Sequence, residues 1–515
     1  MFSPILPGAR RLLSLALAGA LLALHAGPPH AQGLPSLGDG NSMTTAAERR
    51  LGERIARELY RDPDYIEDAV LEDYVRSIWQ PLLAAAKARG ELTGELDERF
   101  AWEILMGRDR SINAFALPGG YLGLHLGLIG AVSTRDELAS VLAHELTHVT
   151  QRHIARLMDQ SSRITPWAIG AMVLGALAAS RNPDAAGAMI MGSQAAAAQS
   201  QLNFSRDMER EADRIGYGVM TQAGFDPAGF VGMFDKLQQA SKLNDNGAFP
   251  YLRSHPLTTE RLADMQARQA LLARRAPPAR PDIEQALMSA RARVLSNPGP
   301  DRLRAWIGEA QSLAASAAPA QAAPVLYAGA LAASQLRERA TADALLERLR
   351  PAVQGDPRAL RQLHLLDAEL ASAAGDVARA QAALAAIPAA QAGRAELLLG
   401  APLWIREGRA AEAAQQLQLQ VARDPRDATA WRLLASAYAA QGQTLRALRA
   451  EAEQQVARLD YPGALDRLKA AQNYARGPRQ GNGPDDHIEA SIIDTRARQV
   501  EAIVREQQRE EKEER

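Results

Sequence analysis

The sequence predicts a mainly α protein in two parts: an α+β domain with a small sheet, then an α-solenoid. Three observations predict it. Val141–Val149 places His144 and His148 four residues apart within an apolar pattern of helical spacing. At that spacing two side chains sit about 40° apart around a helix axis and one turn up. Ile112–Leu122 reads as strand, tight turn, strand, with Gly119 and Gly120 freeing the backbone at the turn. Past residue 300, the order aromatic, Gly, Ala, apolar, Pro recurs at 33–34 residues. Trp404, Gly408, Ala413, Leu417 and Pro425 precede Tyr438, Gly442, Ala447, Glu451 and Leu459, and follow Gly375, Ala380 and Leu384. That order matches the tetratricopeptide pattern of two packed helices per unit. A plain helical bundle is the alternative, and Glu451 marks a degenerate unit.

Bulk properties narrow the classes. A chain of 515 residues should hold two or three domains. The formal net charge of −1 gives no global field for nucleic acid. With no cysteine, a structural disulfide is impossible and a metal must be held by histidine and carboxylate.

In chain order, residues 1–31 read as a signal peptide, with Arg10-Arg11 before the apolar run Leu12–Leu24 and small residues at Ala26 and Ala31. An uncleaved anchor is the alternative, and either way the chain is exported. Gly33–Asn41 is an extended leader. A first domain spans 32–270. In it Ala46–Tyr60 and Ala69–Ala86 are amphipathic helices broken by Asp62-Pro63-Asp64, and Arg99–Ile104 alternates as a strand. Thr134-Arg135-Asp136-Glu137 is a capping box for the His144 helix. Ile164–Ser180 is an apolar run of 17 residues containing Pro166. It reads as a buried or membrane-surface hairpin, at the lower limit for a span. Phe204–Thr221 is a helix capped by Ser205 or Asp207 and ended by Gly224. Asp226-Pro227 starts another, and one more begins near Thr259. Residues 271–300 are a Pro-rich linker zone with a short helix between the prolines, 301–475 the repeats, and 476–515 a charged, solvated tail that is helical in pattern from Asp494.

The chemistry sits in H-E-x-x-H, the zinc-peptidase signature, formed by His144, Glu145 and His148. Glu145 projects where it can take a proton from water at the metal. A catalytic zinc site needs a third protein ligand, and Glu209 and Glu211 are both candidates. Asn113, Ala114, Phe115 and Ala116 can hold an extended peptide by strand addition. A core hairpin that never touches substrate is equally open. His125 and His153 read as structural.

His-Glu-Leu-Thr-His followed by Ser205-Arg-Asp-Met-Glu-Arg-Glu-Ala-Asp-Arg214 resembles the gluzincin peptidases related to HtpX and to the CAAX prenyl proteases. The resemblance implies a gluzincin-type zinc peptidase domain holding one Zn2+ per chain. It makes Glu209, first in Glu209-Arg210-Glu211-Ala212-Asp213, the third ligand. Asp213, one turn on, would then accept from the far nitrogen of a ligating histidine. Glu211 would point about 200° away, to the surface. The family also places His255, in Ser254-His255-Pro256-Leu257, near the metal. It would be a fourth ligand closing the site at rest, or an oxyanion donor with substrate bound.

A closer resemblance is to periplasmic metallopeptidases of outer-membrane assembly that carry tetratricopeptide repeats. It rests on Leu34-Pro35, Ile112–Phe115, Gly119-Gly120, His144–His153, Ser205–Gly216, Gly224–Pro227 and His255–Leu257. It implies a periplasmic endopeptidase with a chaperone-like role. Its partners would be unfolded or misassembled outer-membrane proteins and the assembly machinery, met through the repeats, with peripheral membrane contact and no nucleic acid. The competing readings are a binding scaffold with a vestigial site, and an integral membrane protease spanning at Ile164–Ser180.

Overall fold

Polar caps start the first two helices. Thr44 accepts the Ala47 amide hydrogen at the head of α1 (Thr45–Arg61), and Asp68 accepts that of Leu71 at the head of α2 (Ala69–Ala88). The computed structural model describes residues 43–160, 206–242, 251–272, 282–477 and 484–513. The expected signal peptide, the leader, the apolar run after residue 164 and the Ser205 cap lie outside the described residues.

After α3 (Gly94–Arg99) come β1 (Glu103–Gly107), β2 (Ala114–Leu117) and β3 (Tyr121–His125). They form a sheet ordered β1-β3-β2, with β3 parallel to β1 and antiparallel to β2. The strand expected over Arg99–Ile104 begins later, because Arg99 closes α3 and Trp102 turns the chain at φ 53°. The turn before β3 needs its glycines: Gly119 and Gly120 have φ 72° and 87°. A Cβ on Gly120 would meet the Ala101 nitrogen at 2.7 Å.

Helices α4 (Leu126–Ala131), α5 (Arg135–Thr150) and α6 (His153–Gln160) follow. Only half of the expected capping box forms. Thr134 accepts the Glu137 amide hydrogen, but the Glu137 carboxylate accepts from Ser133 instead. The apolar stripe read for α5 is also too narrow: every residue from Glu137 to Thr150 is buried. It is enclosed by α2, β2, α7 (Arg206–Gln222) and α8 (Ala228–Lys242). The short α9 (Tyr251–Ser254) and α10 (Thr259–Leu272) complete this half.

The second half is a run of antiparallel helices. It begins with α11 (Ile283–Leu295), α12 (Pro300–Ser312), α13 (Pro319–Gln335), α14 (Arg339–Val353), α15 (Pro357–Ala373) and α16 (Val377–Ala385). It continues with α17 (Arg394–Arg406), α18 (Ala410–Arg423), α19 (Ala428–Ala440), α20 (Thr444–Ala457), α21 (Tyr461–Arg476) and α22 (Pro484–Glu513). The starts of α17 and α19, and of α18 and α20, are each 34 residues apart. Gly375, Gly408 and Gly442, at φ 78°, 82° and 72°, end the first helix of successive pairs.

Two segments depart from the sequence reading. The linker zone contains α11, which is core: Leu287, Met288, Ala290, Ala292 and Val294 are 0% exposed. The charged tail forms α22, whose Ile493, Ala497 and Val500 bury against a cluster that includes Leu51 and Ile55 of α1. Glu489, one turn before Ile493 on the same face, is buried and pairs with Arg449, while Ile488 and Ile492 are exposed.

The halves share one apolar core running from Ile66 to Ala395. Four arginines of the second half ion-pair with acids at or near the start of α2. Arg291 meets Asp68 at 2.7 Å, Arg361 meets Asp73 at 2.6 Å, Arg394 meets Glu72 at 2.5 Å and Arg458 meets Glu67 at 2.7 Å. Among the described residues no helix is long and apolar enough to cross a membrane.

Candidate metal centre

Helix α5 carries His144, Glu145 and His148, α7 carries Glu209 and Asp213, and the turn closing α9 carries His255. Helices α5 and α7 approach closely because residue 216 is glycine. A Cβ there would lie 3.1 Å from the Ala143 carbonyl carbon and oxygen.

His144, His148, Glu209 and His255 are all buried, and each offers one donor atom to a group within 4.8 Å. His144 Nε2 lies 2.9 Å from His148 Nε2 and 3.3 Å from His255 Nδ1. Glu209 Oε1 lies 3.0 Å from His255 Nδ1 and 3.5 Å from His148 Nε2. Zinc bonds of about 2.0–2.1 Å in a tetrahedron require donor separations of about 3.3 Å. The cluster therefore has the dimensions of a four-coordinate zinc site. Beside the cluster, Glu145 Oε1 has no hydrogen-bond donor among the described residues. A buried acceptor left in that way is costly, and a cation answers it.

The electrostatics agree. Burial disfavours a charged His144, but hydrogen bonds to Asp213 and Glu209 prevail and raise its pKa to about 9. Glu209 is held well below the ordinary glutamate range, with His255 and His144 overcoming its burial. His148 goes the other way: burial and the neighbouring His144 hold it well below the ordinary histidine range. Burial pushes the Glu145 carboxyl up, against His255 and His144, towards the range a general base needs.

The surroundings orient the cluster. Asp213 Oδ1 lies 2.9 Å from His144 Nδ1. Arg261 forks onto Asp213 at 2.6 and 2.8 Å, reaches Glu209 Oε2 at 2.8 Å, and donates to the Pro256 carbonyl at 2.9 Å. Tyr251 stacks on His255 with ring centroids 4.6 Å apart.

The four hairpin residues divide into two sets. The Asn113 carbonyl accepts from His125 and Phe115 pairs with Gly123, so both face β3. Ala114 and Ala116 alternate to the outer edge of the sheet, where the Ala116 N–H donates to Glu145 Oε2 at 2.8 Å.

Sequence reasoning missed Arg261 and Tyr251, whose neighbours in sequence give no ligand spacing. The need to neutralise Glu209 and Asp213 together was the available signal for a buried cation. It also set aside His153 and put Glu211 on the surface. The structure places His153 Nδ1 2.9 Å from His148 Nδ1, and Glu211 half-buried against His153 and Arg156. His125 is buried and bonds to Ser111, away from the cluster.

The sequence profile of peptidase family M48 matches residues 72–269. A Vibrio cholerae relative is 36% identical over 271 residues, covering 51% of this chain and 52% of its own. An Escherichia coli relative named beta-barrel assembly-enhancing protease is 31% identical over 241 residues, 46% of this chain and 47% of its own. An Arabidopsis thaliana relative named mitochondrial metalloendopeptidase OMA1 is 31% identical over 192 residues, 37% and 35% of the two chains. The chain spans about half the length of the first two. All four cluster residues and Glu145 fall within the segment that matches peptidase family M48.

Proposed function

We propose that this chain is a periplasmic zinc-dependent endopeptidase that serves outer-membrane protein assembly and quality control, degrading misfolded or stalled clients. One observation carries the reading: Glu145 lies buried beside a four-donor cluster of zinc dimensions, inside the segment that matches family M48. The names of the relatives support the biological setting. The helix pairs with 34-residue spacing are read as tetratricopeptide units whose concave face receives client segments and the assembly machinery.

His144, His148 and Glu209 would hold zinc, with Asp213 fixing the His144 ring. When bound, the metal supplies a Lewis acid that makes water a nucleophile near neutral pH and polarises the scissile carbonyl. Glu145 takes the proton of the attacking water and passes it to the leaving amine. The outer edge of β2, at Ala114 and Ala116, aligns an extended substrate by backbone hydrogen bonds, with Asn113 and Phe115 holding that strand to β3. His255 has two roles. At rest its Nδ1, 3.3 Å from His144 Nε2 and 3.0 Å from Glu209 Oε1, would act as a fourth ligand and close the site. Displaced by substrate, it donates to the oxyanion.

The test is metal content with casein digestion. The purified chain should bind about one zinc. Glu145→Gln should keep the metal and lose proteolysis by a factor of about 100 or more. Cleavage by Glu145→Gln at the wild-type rate would remove Glu145 from the base role.

A further inference from the structure

His148 makes a second contact on the side away from the cluster. Its Nδ1 lies 2.9 Å from His153 Nδ1, and His153 Nε2 lies 3.1 Å from Glu211 Oε2. Arg156 adds an ion pair to the same carboxylate oxygen at 2.8 Å. His153 is 0% exposed.

A continuous helix would not make this contact. Five residues on, a side chain lies about 140° around the axis. Here α5 stops at Thr150, Arg152 takes φ 52°, and α6 restarts at His153. A left-handed backbone is unfavourable for arginine and persists only where the surroundings enforce it. Those surroundings are present: the Arg152 guanidinium donates to the buried Glu48 carboxylate at 2.7 Å. The chain is bent and pinned so that His153 faces back onto His148.

Proton placement then follows. With His148 Nε2 facing the cluster as a lone-pair donor, its proton is on Nδ1 and is donated to His153 Nδ1. The His153 proton is on Nε2 and is donated to Glu211. Every donor in the series finds an acceptor. We propose that His153 and Glu211 are positioning residues that hold His148 in its metal-binding tautomer and orientation. They do for His148 what Asp213 and Arg261 do for His144. The inference rests on the metal reading of the cluster. Helix α7 thereby serves the site twice, through Glu209 directly and through Glu211 by way of two imidazoles.

The experiment measures zinc affinity of the full chain by competition with a chromophoric chelator, and the visible spectrum of the cobalt-substituted protein. His153→Phe keeps ring volume and removes both nitrogens. It should weaken zinc by about 10–100-fold, the usual effect of losing such a partner. His153→Asn restores an acceptor near the Nδ1 position and should recover most of that loss. Glu211→Ala should weaken zinc about tenfold and shift the cobalt bands. Equal losses in the Phe and Asn variants would assign His153 to packing and overturn the proposal, as would wild-type affinity in His153→Phe. Should His153→Phe fail to fold, the half-buried Glu211→Ala decides, and unchanged affinity there overturns it. A wild-type chain that binds no zinc removes the metal reading itself. Wild-type binding with unmoved variants removes only this inference.

Discussion

Arg291→Leu should destabilise the whole chain by about 3–5 kcal/mol, the cost of breaking a buried ion pair. Arg291 is 2% exposed and makes paired hydrogen bonds to Asp68 at 2.8 and 2.7 Å and to Glu369 at 2.7 and 2.6 Å. It also donates to the Tyr327 hydroxyl at 3.1 Å. Leucine would fill the space and leave two carboxylates facing each other without a cation. Asp68 and Glu369 keep side-chain exposures of 11% and 22%, so water softens the penalty and the lower end, about 3 kcal/mol, is expected. Urea unfolding followed by tryptophan fluorescence measures it. The triple variant Asp68→Asn, Arg291→Leu, Glu369→Gln should regain part of the loss. It removes the like charges, and asparagine caps a helix start such as that of α2 about as well as aspartate does. An Arg291→Leu chain within about 0.5 kcal/mol of wild type would refute the reasoning, as that is the range of an ordinary surface substitution.

Glu209→Ala should abolish zinc retention on dialysis, since Glu209 is the one carboxylate among the four donors; metal analysis of the dialysed chain checks it. His255→Ala should keep zinc through three ligands and raise basal cleavage of casein or of the chain itself; unchanged metal with sharply lower turnover would leave His255 only its oxyanion role. Asp427 is buried, which pushes its pKa up, but the Arg394 guanidinium and the Ala430 amide outweigh this and hold it below the ordinary aspartate range. Its stabilising contribution is therefore complete above the unfolded pKa of about 3.9 and is lost as pH falls through the lower folded value. Wild type should exceed Asp427→Asn by a constant margin between about pH 5 and 8, and the margin should shrink below about pH 4.

Periodicity and spacing made much of this legible. Two histidines one helical turn apart can share a metal on any helix, so His144 and His148 needed no tertiary information. The glycines at the helix-pair turns announced the 34-residue spacing because their backbone conformation excludes most other residues. What stayed hidden depends on breaks and on long-range pairing. Spacing alone gives His153 no place at the site, and the turn at Arg152 that brings it onto His148 has no signature in the sequence. Arg261, 48 residues from the carboxylate it forks onto, carries no local signature. Prolines around 271–300 suggested a linker, yet Leu287 and Met288 are at the centre of the core. The same core extends across both halves. A chain ended near Asn297 would expose the faces of α2 and α11 that α13, α15 and α17 cover.

The acids around the head of α2 have a consequence in time. Their arginine partners lie 223, 288, 322 and 391 residues further along the chain. At ribosomal rates of about 5–20 residues per second, the last of them is synthesised about 20–80 s after the helix it neutralises. The four carboxylates thus gain these partners one at a time, Asp68 first and Glu67 last. A chain interrupted before Arg291 therefore holds all the cluster residues but none of the arginines that tie the head of α2 to the second half.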